Sequence, residues 1–124
     1  MANQESVISI TIPAGGDLSA SQYRFVQVAS DGQCDIVAGA GLDATGVLQN
    51  APDAAGKASE IAIAGRVKVV AGGTVASGAL VQSDASGDAL LATTGDFVLG
   101  QCLIGGAVGE VIEVLLNVSH NISL

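Results

Sequence analysis

Aromatic residues are nearly missing from this 124-residue sequence: Tyr23, Phe25 and Phe97 are the whole complement, and there is no tryptophan. Carbohydrate-binding modules usually offer sugar rings an aromatic platform, which this chain has little means to build. Its core must instead come from Val, Ile, Leu and Ala, each of which buries little area. Cations are just as scarce. Four Lys and Arg against twelve Asp and Glu leave a net charge of −8, which repels phosphate backbones and anionic lipid alike. Neither nucleic acid nor a membrane is therefore an expected partner. No apolar run approaches the roughly 18 residues of a membrane span, and the opening "MANQESVISI" lacks the basic start and apolar stretch of a signal peptide. The chain is expected to be made in the cytoplasm.

Residues that do chemistry are also few. His120 is the single histidine, with no second imidazole to share a metal, and it reads as a surface residue. Cys34 and Cys102 form no Cys-x-x-Cys pair and lack a set of zinc ligands at characteristic spacing. A cytosolic chain keeps thiols reduced, so both are expected as small buried hydrophobes rather than a disulfide or a nucleophile. Asn117-Val118-Ser119 and Asn121-Ile122-Ser123 match the glycosylation pattern, which needs a secretory route, and are expected to be chance matches. Asp84 and Asp88 flank "ASG" without calcium-loop spacing, and they read as turn caps. The glycine clusters match neither a P-loop nor a dinucleotide fingerprint. "GGTVASGALV" has the glycine punctuation of biotinyl and lipoyl carrier domains, but its hairpin tip "SDASGD" holds no lysine, and Lys57 reads as a solvated loop residue. No cofactor, no metal and no catalytic residue are expected.

Glycine and alternation fill the space that these absences leave. In "VISITI" Ile8, Ile10 and Ile12 share one face, with Ser9 and Thr11 on the other, which predicts a half-buried strand. "RVKVV" sets Val67 and Val69 inward against Arg66 and Lys68, and "EVIEVLLNV" sets Ile112 and Val114 against Val111 and Glu113. Glycine-bearing turns separate these runs. "LDATG" and "APDAAGKASE" have room for a helical turn at most, limited by Pro52.

An internal repeat organises the whole. "RFVQVASDGQCDIV" and "GALVQSDASGDALL" share the Val-Gln and the Ser/Asp/Gly turn, with Gln27 and Gln82, and Gly32 and Gly87, each 55 residues apart. Gly46 with Gly100 and Gly56 with Gly109 continue the match at slightly shorter offsets. The sequence therefore predicts an all-β, compact barrel-like or sandwich-like domain of two similar lobes with an extended N-terminal arm. Residues 1–20 read as the arm and first strand, and residues 21–124 as the β-domain with its repeat at about 25–63 and 80–116.

Four segments in one order carry a resemblance: "AGGDLSASQYRFVQV", "GVLQNAPDAAGKASEIAIAGRVKVVAGG", "GALVQSDASGD" and "FVLGQCLIGGAVGEVIEVLL". Together they resemble the capsid cement, or head decoration, proteins of tailed bacteriophages, over most of residues 9 to 116. The two cysteines and the tail "NVSHNISL" depart from that pattern. The resemblance implies a non-enzymatic virion protein on the outer surface of the assembled head. It also implies binding to the major capsid protein, bridging of its subunits and a homotrimeric state. The alternative is another β structural module, such as a fibre base or a surface adhesion domain. An adhesin would need an export signal.

Candidate contact residues follow from charge and pattern. Arg24, Arg66 and Lys68 are three of the four cations on an acidic chain and are candidates for capsid contact. Both chain ends are candidates for fastening to a neighbour by strand pairing: Ile8, Ile10 and Ile12 at one end, outside the repeated unit, and Val118, Ile122 and Leu124 at the other.

Overall fold

The computed structural model describes residues 7–117. Among them, nine strands and no helix form one curled antiparallel sheet. The strands are β1 (Ile8–Pro13), β2 (Phe25–Val28), β3 (Cys34–Ile36), β4 (Gly46–Leu48) and β5 (Ala58–Val70), then β6 (Leu80–Ser83), β7 (Ala89–Leu91), β8 (Gly100–Ile104) and β9 (Val111–Asn117). Their order is β3-β2-β4-β5-β9-β8-β6-β7, with β1 paired to β5 off this path. Neither "LDATG" nor "APDAAGKASE" forms a helix; Lys57 closes a turn by donating its N–H to Ala54 O at 3.3 Å.

Two similar lobes are visible in the pairing itself. In lobe one β2 pairs β3 with Val26 opposite Ile36, and in lobe two β6 pairs β7 with Val81 opposite Leu91. Val26 faces Gly46 across β4 as Val81 faces Gly100 across β8. Leu48 meets Ile61 as Cys102 meets Val114. The repeat includes β1 as well. Ile10 pairs Ile61 and Ile12 pairs Ser59, just as Val67 pairs Val114 and Val69 pairs Ile112. The loops agree: Gly15 N–H donates to Cys34 O and Gly72 N–H to Ala89 O, each at 2.8 Å. In this pattern the "IPAGG" at the end of β1 is the counterpart of "VVAGG" at the end of β5.

The 13-residue β5 joins the lobes. Its first half pairs with β4 and β1, which must lie on opposite edges because both pair with Ile61 and Ala62, and its second half pairs with β9. Gly65 sits at the changeover with φ +108. A side chain would resist that backbone, so glycine lets one strand turn from one lobe into the next.

Alternation decides what each face buries. Val26, Cys34, Leu48 and Ile61 fill lobe one with Ala14 and Leu18. Their neighbours on the opposite face, Phe25, Val47 and Ala62, join the larger cluster that contains Val67, Val81, Cys102, Ile112 and Val114 of lobe two. Lobe one is thus buried on both faces, the second by contact with lobe two. As expected, Val67, Val69, Ile112 and Val114 point inward, and Lys68 and Val111 are exposed. Both cysteines are buried free thiols, Cys34 in one cluster and Cys102 in the other. Burial pushes the Cys102 thiol up.

The half-buried strand expected at 8–12 is more open than its stripe suggests. Ile8 and Ile10 are exposed, and only Ile12 packs against the lobe-one core. The physical reason is position: among the described residues β1 pairs with β5 alone, and the second lobe covers Val67 and not its counterpart Ile10.

Candidate interaction surfaces

The candidate cations occupy two places. Arg24, just before β2, lies between the lobes with its Nε 3.0 Å from Asp88 Oδ1. The two charges attract, but neither atom makes a hydrogen bond, and both atoms are buried. Arg66 and Lys68 lie together on the outward face of β5. Arg66 Nε donates to Glu113 Oε1 at 2.5 Å, and Lys68 stands opposite Glu113 in the β5–β9 register. Arg24 and Arg66 therefore each have an acidic partner within the chain, while Lys68 is exposed to solvent. Lys57 pairs with Asp53 on an exposed turn at 2.6 Å.

At Asp88 burial wins over the partner. It pushes the carboxyl above the usual carboxylate range against the pull of Arg24, and neighbouring Asp84 adds to the rise. A carboxyl with a raised folded pKa contributes stability that is complete below its unfolded value and lost as pH rises through the folded one. Relative to Asp88→Asn, the native chain should therefore be most stable below pH 3.8 and lose that advantage toward neutrality. Urea unfolding of both proteins across this range checks the sign. An advantage that grows with pH would mean that Arg24 dominates.

The N-terminal stripe is brought to an edge. Ile8, Ile10 and Ile12 run antiparallel to Ala64–Ser59, and Pro13 closes the strand opposite Ala58. Proline lacks an N–H, and an edge strand tolerates it for that reason. Val118, Ile122 and Leu124 lie outside the described residues. Asn117, the last strand residue, pairs with Ala64, the residue that also pairs with Ile8. Both ends of the described chain thus meet the middle of β5.

Sequence reasoning missed several surface features. Leu80, Leu91 and Leu115 are exposed on lobe two, and the register aligns Leu80 with Gln101 and Gln101 with Leu115 in one row across β6, β8 and β9. On lobe one a shallow groove is lined by Gln27, Val28, Asp43, Ala44 and Thr45. The available signal was the repeat itself: aligned copies place Leu80 on Phe25 and Leu115 on Ala62, where burial could be compared. Tyr23 was missed too. It has φ +66 where its counterpart Gly78 has φ +90, a conformation that costs a non-glycine residue roughly 1–2 kcal/mol. Backbone bonds hold it there, from Tyr23 N–H to Leu48 O and from Val70 N–H to Tyr23 O. Among the described residues, no group of three or more His, Cys, Asp and Glu is placed to hold a metal ion.

No protein-family profile matches the sequence, and no curated protein matches it. Among solved structures, the chain is similar to the N base of head fiber gp8.5 in bacteriophage phi29, with a TM-score of 0.71 at 17% identity. That likeness covers 90% of this chain and 95% of the other. At such low identity it establishes a common fold.

Proposed function

We propose that this chain is a non-enzymatic structural protein of a tailed-bacteriophage head, bound to the outer surface as capsid cement. In this reading it bridges neighbouring major capsid protein subunits, as a homotrimer. The observation that carries the proposal is the fold likeness to a phage head-fibre base over nearly the full length of both chains. The cement resemblance of the sequence, reached independently, points to the same particle. A net charge of −8 keeps such a protein off the packaged DNA. The mechanism is linkage. A protein that binds only the assembled lattice stabilises it by RT ln(1 + [L]/Kd), and many copies multiply the effect.

A second reading, the base of a head fibre, is favoured by the identity of the structural neighbour. The two differ in what binding does to the shell. Heads lacking the protein are mixed with purified chain and heated while DNA release is followed. Cement raises the release temperature in proportion to occupancy. A fibre base binds and leaves that temperature unchanged. Failure to bind heads at all removes both readings.

A further inference from the structure

The duplication makes the lobe–lobe contact an internal template. Lobe one presents to lobe two the row Phe25, Val47 and Ala62, with Phe25 and Ala62 fully buried. The same row on lobe two is Leu80, Gln101 and Leu115, and here Leu80 is 41% and Leu115 46% exposed. Leu91, counterpart of the half-buried Ile36, is 58% exposed. One lobe's outer face is covered, and its duplicate is bare.

The receiving side shows the opposite asymmetry. Lobe two offers lobe one the Gly87 turn, whose carbonyl accepts the Phe25 N–H at 2.7 Å. A Cβ at Gly87 would meet Arg24 and Ile36 side chains at 3.2 and 3.3 Å. Its counterpart Gly32 has nearly the same φ, +81 against +83, and an added Cβ there would meet nothing within 4 Å. Val67 of lobe two is 3% exposed, whereas its counterpart Ile10 is 37% exposed. Ser83 is buried and its carbonyl accepts the Gly41 N–H at 2.8 Å, while its counterpart Val28 lines the open groove. At these three places, among the described residues, an element that receives lobe one has an open duplicate on lobe one itself.

Chain continuity fits as well. Aligning the strand registers matches Ala64 with Asn117 and Gly65 with Ile8. The covalent Ala64–Gly65 step inside β5 thus corresponds to the place where one copy's β9 ends and another copy's β1 begins.

We propose that copies of this chain associate head to tail, with Leu80, Leu91 and Leu115 of one copy seated on Ile10, Val28 and the Gly32 turn of the next. The intermolecular contact repeats the contact that already joins the lobes. Because it is heterologous, it closes into a ring or grows without end; the three copies of the function proposed above would make a ring of six lobes, although the contact stands without any capsid. Two template interactions do not carry over. Pro13 occupies the position of Val70, whose N–H donates to Tyr23 O, and Gln33 and Ala79 occupy the positions of Asp88 and Arg24. The contact is therefore apolar, and its strength should hold in high salt.

The test uses two double variants of the full chain, Leu80→Glu/Leu115→Glu and Ile10→Glu/Val28→Glu. All four positions are exposed, so the β circular-dichroism spectrum should be kept. Sedimentation equilibrium should find the native protein in one defined oligomer, unchanged by salt, and each variant as a monomer. Mixed in equal amounts, the variants share one intact pair of faces and should form one-to-one heterodimers and nothing larger. Independently, Asp31→Cys/Leu91→Cys should give disulfide-linked multimers on a non-reducing gel. A monomeric native protein, variants that still assemble, or a mixture that remains monomeric would each overturn the proposal. A symmetric two-fold contact would show itself by leaving one of the double variants dimeric alone.

Discussion

Replacing Phe25 by alanine should cost about 3–5 kcal/mol of folding stability, the range for emptying a buried phenylalanine site. Phe25 is fully buried in the cluster between the lobes, with Val47 beside it across β4. Its loss removes apolar burial from both lobes at once, and the sheet cannot collapse to fill the gap without shifting β2 from β4. The duplicate position gives an internal control. In the unassembled chain Leu80→Ala should change stability by no more than about 0.5 kcal/mol, as exposed substitutions usually do. Urea unfolding of both variants, with the m-value checked for constancy, measures the difference. Equal losses at the two sites would mean that the lobes do not pack as described.

A second large effect is expected at the paired glycines Gly46 and Gly100. A Cβ on Gly46 would collide with the backbone oxygen of Ala62 and lie 2.7 Å from Ile61 Cγ2. On Gly100 it would lie 2.5 Å from Leu115 O and 2.8 Å from Val114 Cγ1. A carbonyl in a strand cannot swing away without disturbing the β4–β5 or β8–β9 pairing, so either alanine overpacks the sheet. The expected loss is about 3 kcal/mol or more. Gly32→Ala separates space from conformation: it has open surroundings but φ +81, and should cost only about 1–2 kcal/mol. Thermal unfolding should rank Gly46→Ala and Gly100→Ala well below Gly32→Ala. The reverse order would contradict the close strand approach.

The same two glycines show how far the repeat could be read from sequence. Gly46 and Gly100 recur because each lobe needs the same close approach, and that need is independent of solvent exposure. Alternation in "RVKVV" was equally legible: Val67 and Val69 pair with Val114 and Ile112 of β9 and are buried in the cluster that lobe one also enters through Phe25, Val47 and Ala62. Ile10 has the same alternation and the equivalent pairing but is exposed, because alternation carries no information about which of two duplicate faces the other lobe covers. Gly65 precedes "RVKVV" and marks a break in the sequence, whereas at φ +108 it lets β5 run on through it. A glycine in sequence signals backbone freedom without saying whether the chain reverses or merely bends. Tyr23 was illegible for a related reason: its left-handed backbone is imposed by bonds to Leu48 and Val70, which are distant in sequence.

Of the candidate contact residues, the cations were found by scarcity, and the structure adds that Arg24 and Arg66 already face Asp88 and Glu113. The apolar rows were hidden because exposed leucines in strands look like core residues until their partners are known. Comparing each residue with its counterpart in the other lobe resolves this, because the chain contains one covered and one uncovered example of the same surface.

The central claim is attachment to the outside of a phage head, and cryo-electron microscopy of heads with and without this protein tests it most directly. The account predicts added density on the outer surface, spanning adjacent major capsid subunits, into which the two-lobed sheet fits. Heads of identical outer surface in the two samples, with the protein present at saturating amounts, would contradict it.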